Sequence, residues 1–128
     1  MKLNIETKEK IQAEYDAWQS KQYAGKDKKD RQAKGQFFTP PALTIKMIEK
    51  FDSLEGNVLD PCLGAGGLIA ACILAGADPK RCYGIELDEE VLSIARIRLA
   101  KLGVPPCNLV QGDALDHKSY EKLKPYEG

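Results

Sequence analysis

Three acidic residues, Asp60, Glu86 and Asp113, each stand where an apolar, extended stretch gives way to a turn or a helix start. Asp60 opens the turn Asp60-Pro61-Cys62-Leu63-Gly64-Ala65-Gly66-Gly67, whose glycines let a ligand approach the backbone with no side chain in the way. Glu86 follows Gly66 by 20 residues, about the spacing at which a carboxylate reaches the ribose hydroxyls of a nucleoside bound at such a turn. The same carboxylate would repel a phosphate placed there. The third glycine of a dinucleotide turn counted from Gly64 would fall at position 69, which is Ile69, and no Gly-Lys-Ser/Thr follows, so neither dinucleotide nor phosphate-loop binding fits. An Asp-Pro pair opening the turn fits a carboxylate that meets a cation.

These residues need a scaffold, and the hydrophobic pattern supplies one. Asn57-Val58-Leu59-Asp60 reads as a strand, Leu68–Ala77 as a nearly all-apolar helix, and Arg81–Leu87 as a second strand. Asp88 is placed to cap a helix with apolar positions Val91, Leu92, Ala95, Leu99 and Leu102, ending at Gly103. Asn108-Leu109-Val110-Gln111 reads as a third strand. Strand, helix, strand, helix, strand predicts an α/β fold with a parallel sheet in the order 3-2-1, and ligands in such sheets bind beyond the carboxyl ends of the strands. Upstream, Ile11, Tyr15 and Trp18 share one face of a helix running from Asn4 to about Tyr23 and are expected to pack on the domain. Pro40 and Pro41 open another helix, with Thr39 as a candidate cap and Leu43, Met47, Ile48 and Phe51 as its expected buried side. Residues 120–128 read as a tail.

Composition limits the partners. The 128 residues carry 19 Lys plus Arg against 19 Asp plus Glu, so no global attraction to nucleic acid or membrane exists. A local basic excess spans Lys21–Lys34, overlapping a polar linker that runs from Ala24 to Gly35. The four cysteines lack zinc-knuckle or redox-pair spacing and are expected to be reduced core residues, and no metal site is expected. No signal peptide and no run of about 18 apolar residues is present, which predicts a cytoplasmic protein with no membrane partner. His117, the only histidine, is given no role.

Four segments taken in order, Gly35-Gln36-Phe37-Phe38-Thr39-Pro40-Pro41, Leu59–Leu68, Tyr83-Gly84-Ile85-Glu86-Leu87-Asp88 and Gln111-Gly112-Asp113-Ala114, resemble the adenine-specific DNA methyltransferases of restriction-modification type. The resemblance covers about Gly35 to Asp116 and implies a Rossmann-like, class I methyltransferase fold whose cofactor is S-adenosyl-L-methionine. It implies that Phe37, Thr39 and Pro40 border the methionine end. Asp60, Gly64 and Gly66 would line the methionine and ribose, Glu86 would hold the ribose hydroxyls, and Leu87 would lie against the adenine face. Asp113 would accept from the adenine amino group, with the Ala114 backbone near the ring nitrogen.

The family's catalytic Asn- or Asp-Pro-Pro-aromatic loop does not occur in these 128 residues, where the only Pro-Pro pairs are Pro40-Pro41 and Pro105-Pro106. No catalytic residue is therefore assigned. The expected organisation is an N-terminal helix and charged linker over 1–34, then an incomplete S-adenosylmethionine-binding domain over 35–128. Three readings stand: the cofactor-binding part of a DNA adenine-N6 methyltransferase, a non-catalytic binding module derived from one, or a methyltransferase for another substrate. DNA would be met through a missing or partner half. A second polypeptide or self-association is expected to cover the edge beside the first strand.

Overall fold

The computed structural model describes residues 1–22 and 38–123, and the linker expected over 24–35 lies outside them, as does Phe37. Helix α1 spans Ile5–Gln22 and α2 spans Pro41–Glu49. Strand β1 (Val58–Asp60), helix α3 (Gly67–Leu74), strand β2 (Cys82–Glu86), helix α4 (Glu89–Ala100), strand β3 (Leu109–Gln111) and a short helix α5 (Lys118–Glu121) follow. The sheet order is β1-β2-β3, with both pairs parallel and Leu59 opposite Tyr83 and Ile85 opposite Val110. The expected βαβαβ unit is present, with β2 central.

Local chemistry explains where the helices begin and end. The Asn4 side chain accepts from the Thr7 amide at 2.8 Å and so starts α1. Asp88 accepts from the Glu90 and Val91 amides at 2.9 and 3.1 Å, as its sequence position suggested, and Glu89 and Glu90 complement the positive end of α4. Helix α3 stops earlier than Ala77 because Gly76 takes a φ of +120° and lets the Ala77 amide turn back to the Cys72 carbonyl. Helix α2 corrects its expected cap: Thr39 makes no capping bond, and the helix instead starts with Pro41 at a position where a missing N–H does no harm.

The buried face of α2 is corrected in part, since Ile48 is buried as expected but its expected companions are not. Pro41, Thr44 and Ile48 point inward, whereas Leu43, Met47 and Phe51 are exposed. Thr44 tolerates burial because its hydroxyl donates to the Pro41 carbonyl at 3.0 Å. Helix α3, nearly all apolar, is packed by α1, α2 and β1. That layer forms the main core, with Ile11, Ile48, Ile69, Cys72, Cys82, Leu92, Leu99 and Leu109 all buried. The opposite face of the sheet carries Tyr83 and Ile85, and it is covered by Leu123, which is fully buried. Residues Tyr120 to Leu123 are thus packed structure and not a tail. The cysteines divide evenly. Burial pushes the Cys72 thiol up to about 12 and the Cys82 thiol up to about 11, so both remain protonated core groups, while Cys62 and Cys107 are exposed, contrary to the expectation that all four belong to the core.

Gly84, in the middle of β2, shows how tightly the loop after β1 is laid on the sheet. A β-carbon there would stand 2.6 Å from Cδ1 and 3.0 Å from Cγ of Leu63, a buried side chain with no free direction to retreat. We expect Gly84→Ala to lower stability by about 1–3 kcal/mol, the usual range for overpacking. Urea unfolding would measure it, and an unchanged midpoint would show that Leu63 repacks freely.

Candidate functional site

The site is built where β1 and β2 end side by side. After Asp60 the chain folds back over the end of β2, and the Leu63 amide donates to the Ile85 carbonyl at 2.9 Å. One residue on, the Gly64 amide donates to Oε1 of Glu86 at 2.9 Å, while Oε2 of Glu86 accepts from the Asp88 amide at 2.8 Å. Glu86 is therefore a structural hinge pin as well as a candidate ligand group. Each of its oxygens accepts one backbone N–H and keeps lone pairs for another donor. Gly66 then adopts a φ of +87° and leads into α3, with its α-carbon so close to Leu99 that a β-carbon would stand 2.9 Å from Cδ1. Gly64, with a φ of +58°, has nothing within 4 Å of where a β-carbon would project. Of the two glycines, Gly66 is spent on packing, and Gly64 leaves open space.

That space belongs to a cavity of about 290 Å³ lined by Asp60, Gly64, Phe38, Thr39, Met47 and Arg98, among others. A larger hollow of about 610 Å³ lies beside Ser53, Gly56, Asp78 and Arg81, in the turns that precede β1 and β2. It opens at the amino ends of the strands, and the smaller cavity is the one at the carboxyl ends, where ligands of such sheets bind.

Asp60 is the electrostatic focus. Its carboxyl is held above the usual carboxylate range chiefly by burial and further by nearby Glu86, against the opposing effect of the Cys62 amide, which donates to it at 3.0 Å. Among the described residues no cationic side chain pairs with it. A half-buried carboxyl facing a cavity, with a second acid beside it and no cation bonded to it, can accept a positive group, since Arg98 in the same lining is tied to Glu14. No cluster of three or more potential metal ligands occurs among the described residues.

The third strand end completes the row. The Gly112 amide donates to the Glu86 carbonyl at 3.0 Å, which sets Asp113 next to the end of β2. Asp113 accepts from the Leu115 amide at 2.9 Å, and the Ala114 carbonyl accepts from the Tyr120 hydroxyl at 2.8 Å. Leu87 is 67% exposed, an apolar side chain standing free beside Glu86. Of the sequence-expected residues, Thr39, Asp60 and Gly64 share the cavity, Glu86 braces its loop, Leu87 and Asp113 lie exposed and Ala114 half-buried beyond the ends of β2 and β3, and Pro40 lies exposed at the start of α2. Arg98, Met47 and Phe38 were missed or left as core. Arg98 had a legible signal: a charged residue beside Ala95 and Leu99 on the apolar face of a helix.

Comparison with known proteins places the chain among methyltransferases. The model of a family described as N-6 DNA Methylase matches residues 17–126. The Type II methyltransferase M.VspI of Vibrio sp. (strain 343) is 32% identical over 96 residues, covering 73% of this chain and 23% of that protein. A tRNA (guanine(10)-N2)-dimethyltransferase of Pyrococcus abyssi is 29% identical over 112 residues, 84% of this chain and 33% of that protein. A Ribosomal RNA small subunit methyltransferase H of Pseudothermotoga lettingae is 39% identical over 61 residues, 48% of this chain and 20% of that protein. The chain thus spans a third or less of the length of these curated relatives. Among the described residues no helix is long and apolar enough to cross a membrane. With strand ends, glycine loop and family model in agreement, the chain belongs to the N-6 DNA methylase family of methyltransferases.

Proposed function

We propose that these 128 residues form the S-adenosylmethionine-binding part of a DNA adenine-N6 methyltransferase. The observation that carries the reading is Asp60: a half-buried carboxyl that no cationic side chain pairs among the described residues, facing a cavity lined by a glycine loop. The cofactor, when bound, supplies an electrophilic methyl group on a sulfonium centre. Asp60 would meet the positive charge of the methionine end, and the open side of Gly64 would leave room for the chain of that amino acid. Glu86 would accept from the ribose hydroxyls with the lone pairs left by its two backbone bonds. The adenine would lie on the shelf formed by Leu87 and Asp113, where an apolar side chain and an acceptor stand together.

The substrate reading rests on the family description and on the four ordered segments that include Phe38-Thr39-Pro40. The matches to an rRNA and a tRNA methyltransferase favour a second reading, methylation of RNA, because substrate choice lies outside the cofactor half. The Asn/Asp-Pro-Pro-aromatic loop that would hold an extruded adenine is not in this sequence. Labelled cofactor incubated with this chain alone is therefore expected to leave mixed-sequence DNA and total RNA unlabelled. Label restored on DNA adenine by adding a polypeptide that carries such a loop would support the DNA reading, and label on RNA would support the second.

We also propose that further protein covers the outer edge of β1, which among the described residues pairs only with β2. An open edge presents unpaired backbone donors and acceptors. Hydrogen exchange at Val58 and Leu59 should slow when that protein, a second polypeptide or another copy, is present. Equal rates with and without it would leave the edge unassigned.

Calorimetric titration with S-adenosylhomocysteine and S-adenosylmethionine tests the cofactor reading. Glu86→Ala should weaken binding of both by on the order of 1.5–3 kcal/mol, the worth of a charge-assisted hydrogen bond. Asp60→Asn keeps the acceptor for the Cys62 amide and removes the charge. A carboxyl whose folded pKa lies above its unfolded value holds its proton more tightly in the folded chain. Stability therefore falls as pH rises from the unfolded value to the folded one, and above that interval the ionised Asp60 opposes folding. Asp60→Asn should accordingly raise Tm at neutral pH, lose that advantage in acid, and bind both ligands less tightly. Unchanged affinity in both variants would remove the cofactor from this cavity.

A further inference from the structure

Arg98 is the only charged side chain fully buried among the described residues, with 4% of its surface exposed. A buried guanidinium is tolerated only where its donors are matched. Its Nε and Nη2 donate to the two carboxylate oxygens of Glu14 on α1, at 2.9 and 2.5 Å, a fork that a lysine does not reproduce. Its Nη1 turns the other way and donates to the Ala65 carbonyl at 3.4 Å, inside the glycine loop. The Trp18 ring covers its flat face with the centroid 4.1 Å from Cζ, and Trp18 meets Phe38 edge-on at 4.6 Å. Arg98 and Phe38 both line the cavity.

We propose that Arg98 is a positioning residue, and that the Glu14–Arg98 pair latches α1 to the glycine loop and so sets the shape of the cavity. The start of the loop is fastened to β2 through Leu63 and Gly64. Beyond Gly64 the loop holds two further glycines, which lose the most conformational freedom on ordering, and Arg98 is the side chain that reaches its backbone there. A loop already held in its bound shape raises ligand affinity without adding a contact. Helix α1, which precedes every element of the sheet, thereby acts on the site through Arg98. The effect on affinity rests on the cofactor reading above, whereas the effect on the loop does not.

Amide hydrogen exchange on the full chain separates a latch from simple helix docking. Glu14→Gln removes the charged partner, and Arg98→Lys keeps a charge facing Glu14 but gives up the fork and the donor aimed at Ala65. In both variants exchange at Gly66 and Gly67 should rise by roughly tenfold, as for a local opening, while Tyr83 and Ile85 keep their rates. Affinity for S-adenosylhomocysteine should fall by a similar factor. Trp18, the only tryptophan, should change its emission when that ligand saturates the wild type and change less in Arg98→Lys. Loop amides that exchange as in the wild type, or a uniform acceleration that includes Ile85, would overturn the proposal. A wild type that takes up no S-adenosylhomocysteine would end the cofactor reading, and the exchange of the loop would still decide the latch.

Discussion

The structure depends on one constraint, that the loop after β1 lies flat across the end of β2. Two backbone donors enforce it, Leu63 to the Ile85 carbonyl and Gly64 to Glu86, and the absence of a side chain at Gly84 permits it. Because the loop comes down there, Asp60 ends up half-buried beside a second acid. Because Glu86 is tied on both oxygens, its position is fixed before anything binds. The Gly112–Glu86 backbone bond then carries the same order to the third strand. A row of acids along strand ends is thus a product of backbone hydrogen bonding, with the side chains following where the main chain puts them.

Much of this was legible because its signals are local. A strand running into Asp-Pro and glycines, an Asp before a helix, and apolar positions at helical spacing each report on a few neighbouring residues, and β1, α4 and β2 came out as read. The failures came where distant contacts decide. Ile48 is buried as read, but Leu43, Met47 and Phe51 share its stripe in the sequence, and packing buries Pro41 and Thr44 in their place. Thr44 reads as polar, but its hydroxyl is satisfied within its own helix. Four residues of α5 show no periodicity, so the burial of Ser119 and Leu123 left no trace in the pattern. The Glu14–Arg98 pair joins residues 84 positions apart, and no spacing rule connects them.

The division of labour within the family also follows from this geometry. Two of the relatives are named for different RNA substrates, and each relative matches this chain over a third or less of its own length. A site assembled from the ends of three adjacent parallel strands can be kept intact while the protein around it changes, since its parts are held by the sheet and not by the substrate.

Leu123 has a consequence for how the chain is made. It is the buried side chain that covers Tyr83 and Ile85, and it comes near the end of the described residues, long after β2 has been synthesised. A ribosome delivers the chain from its amino end, so one face of the sheet waits bare while α4, β3 and α5 are added. Helix α1 waits as well, because its partner Arg98 emerges 84 residues after Glu14. Nascent chains of this protein therefore carry an uncovered apolar strand face while the 37 residues from Leu87 to Leu123 are added.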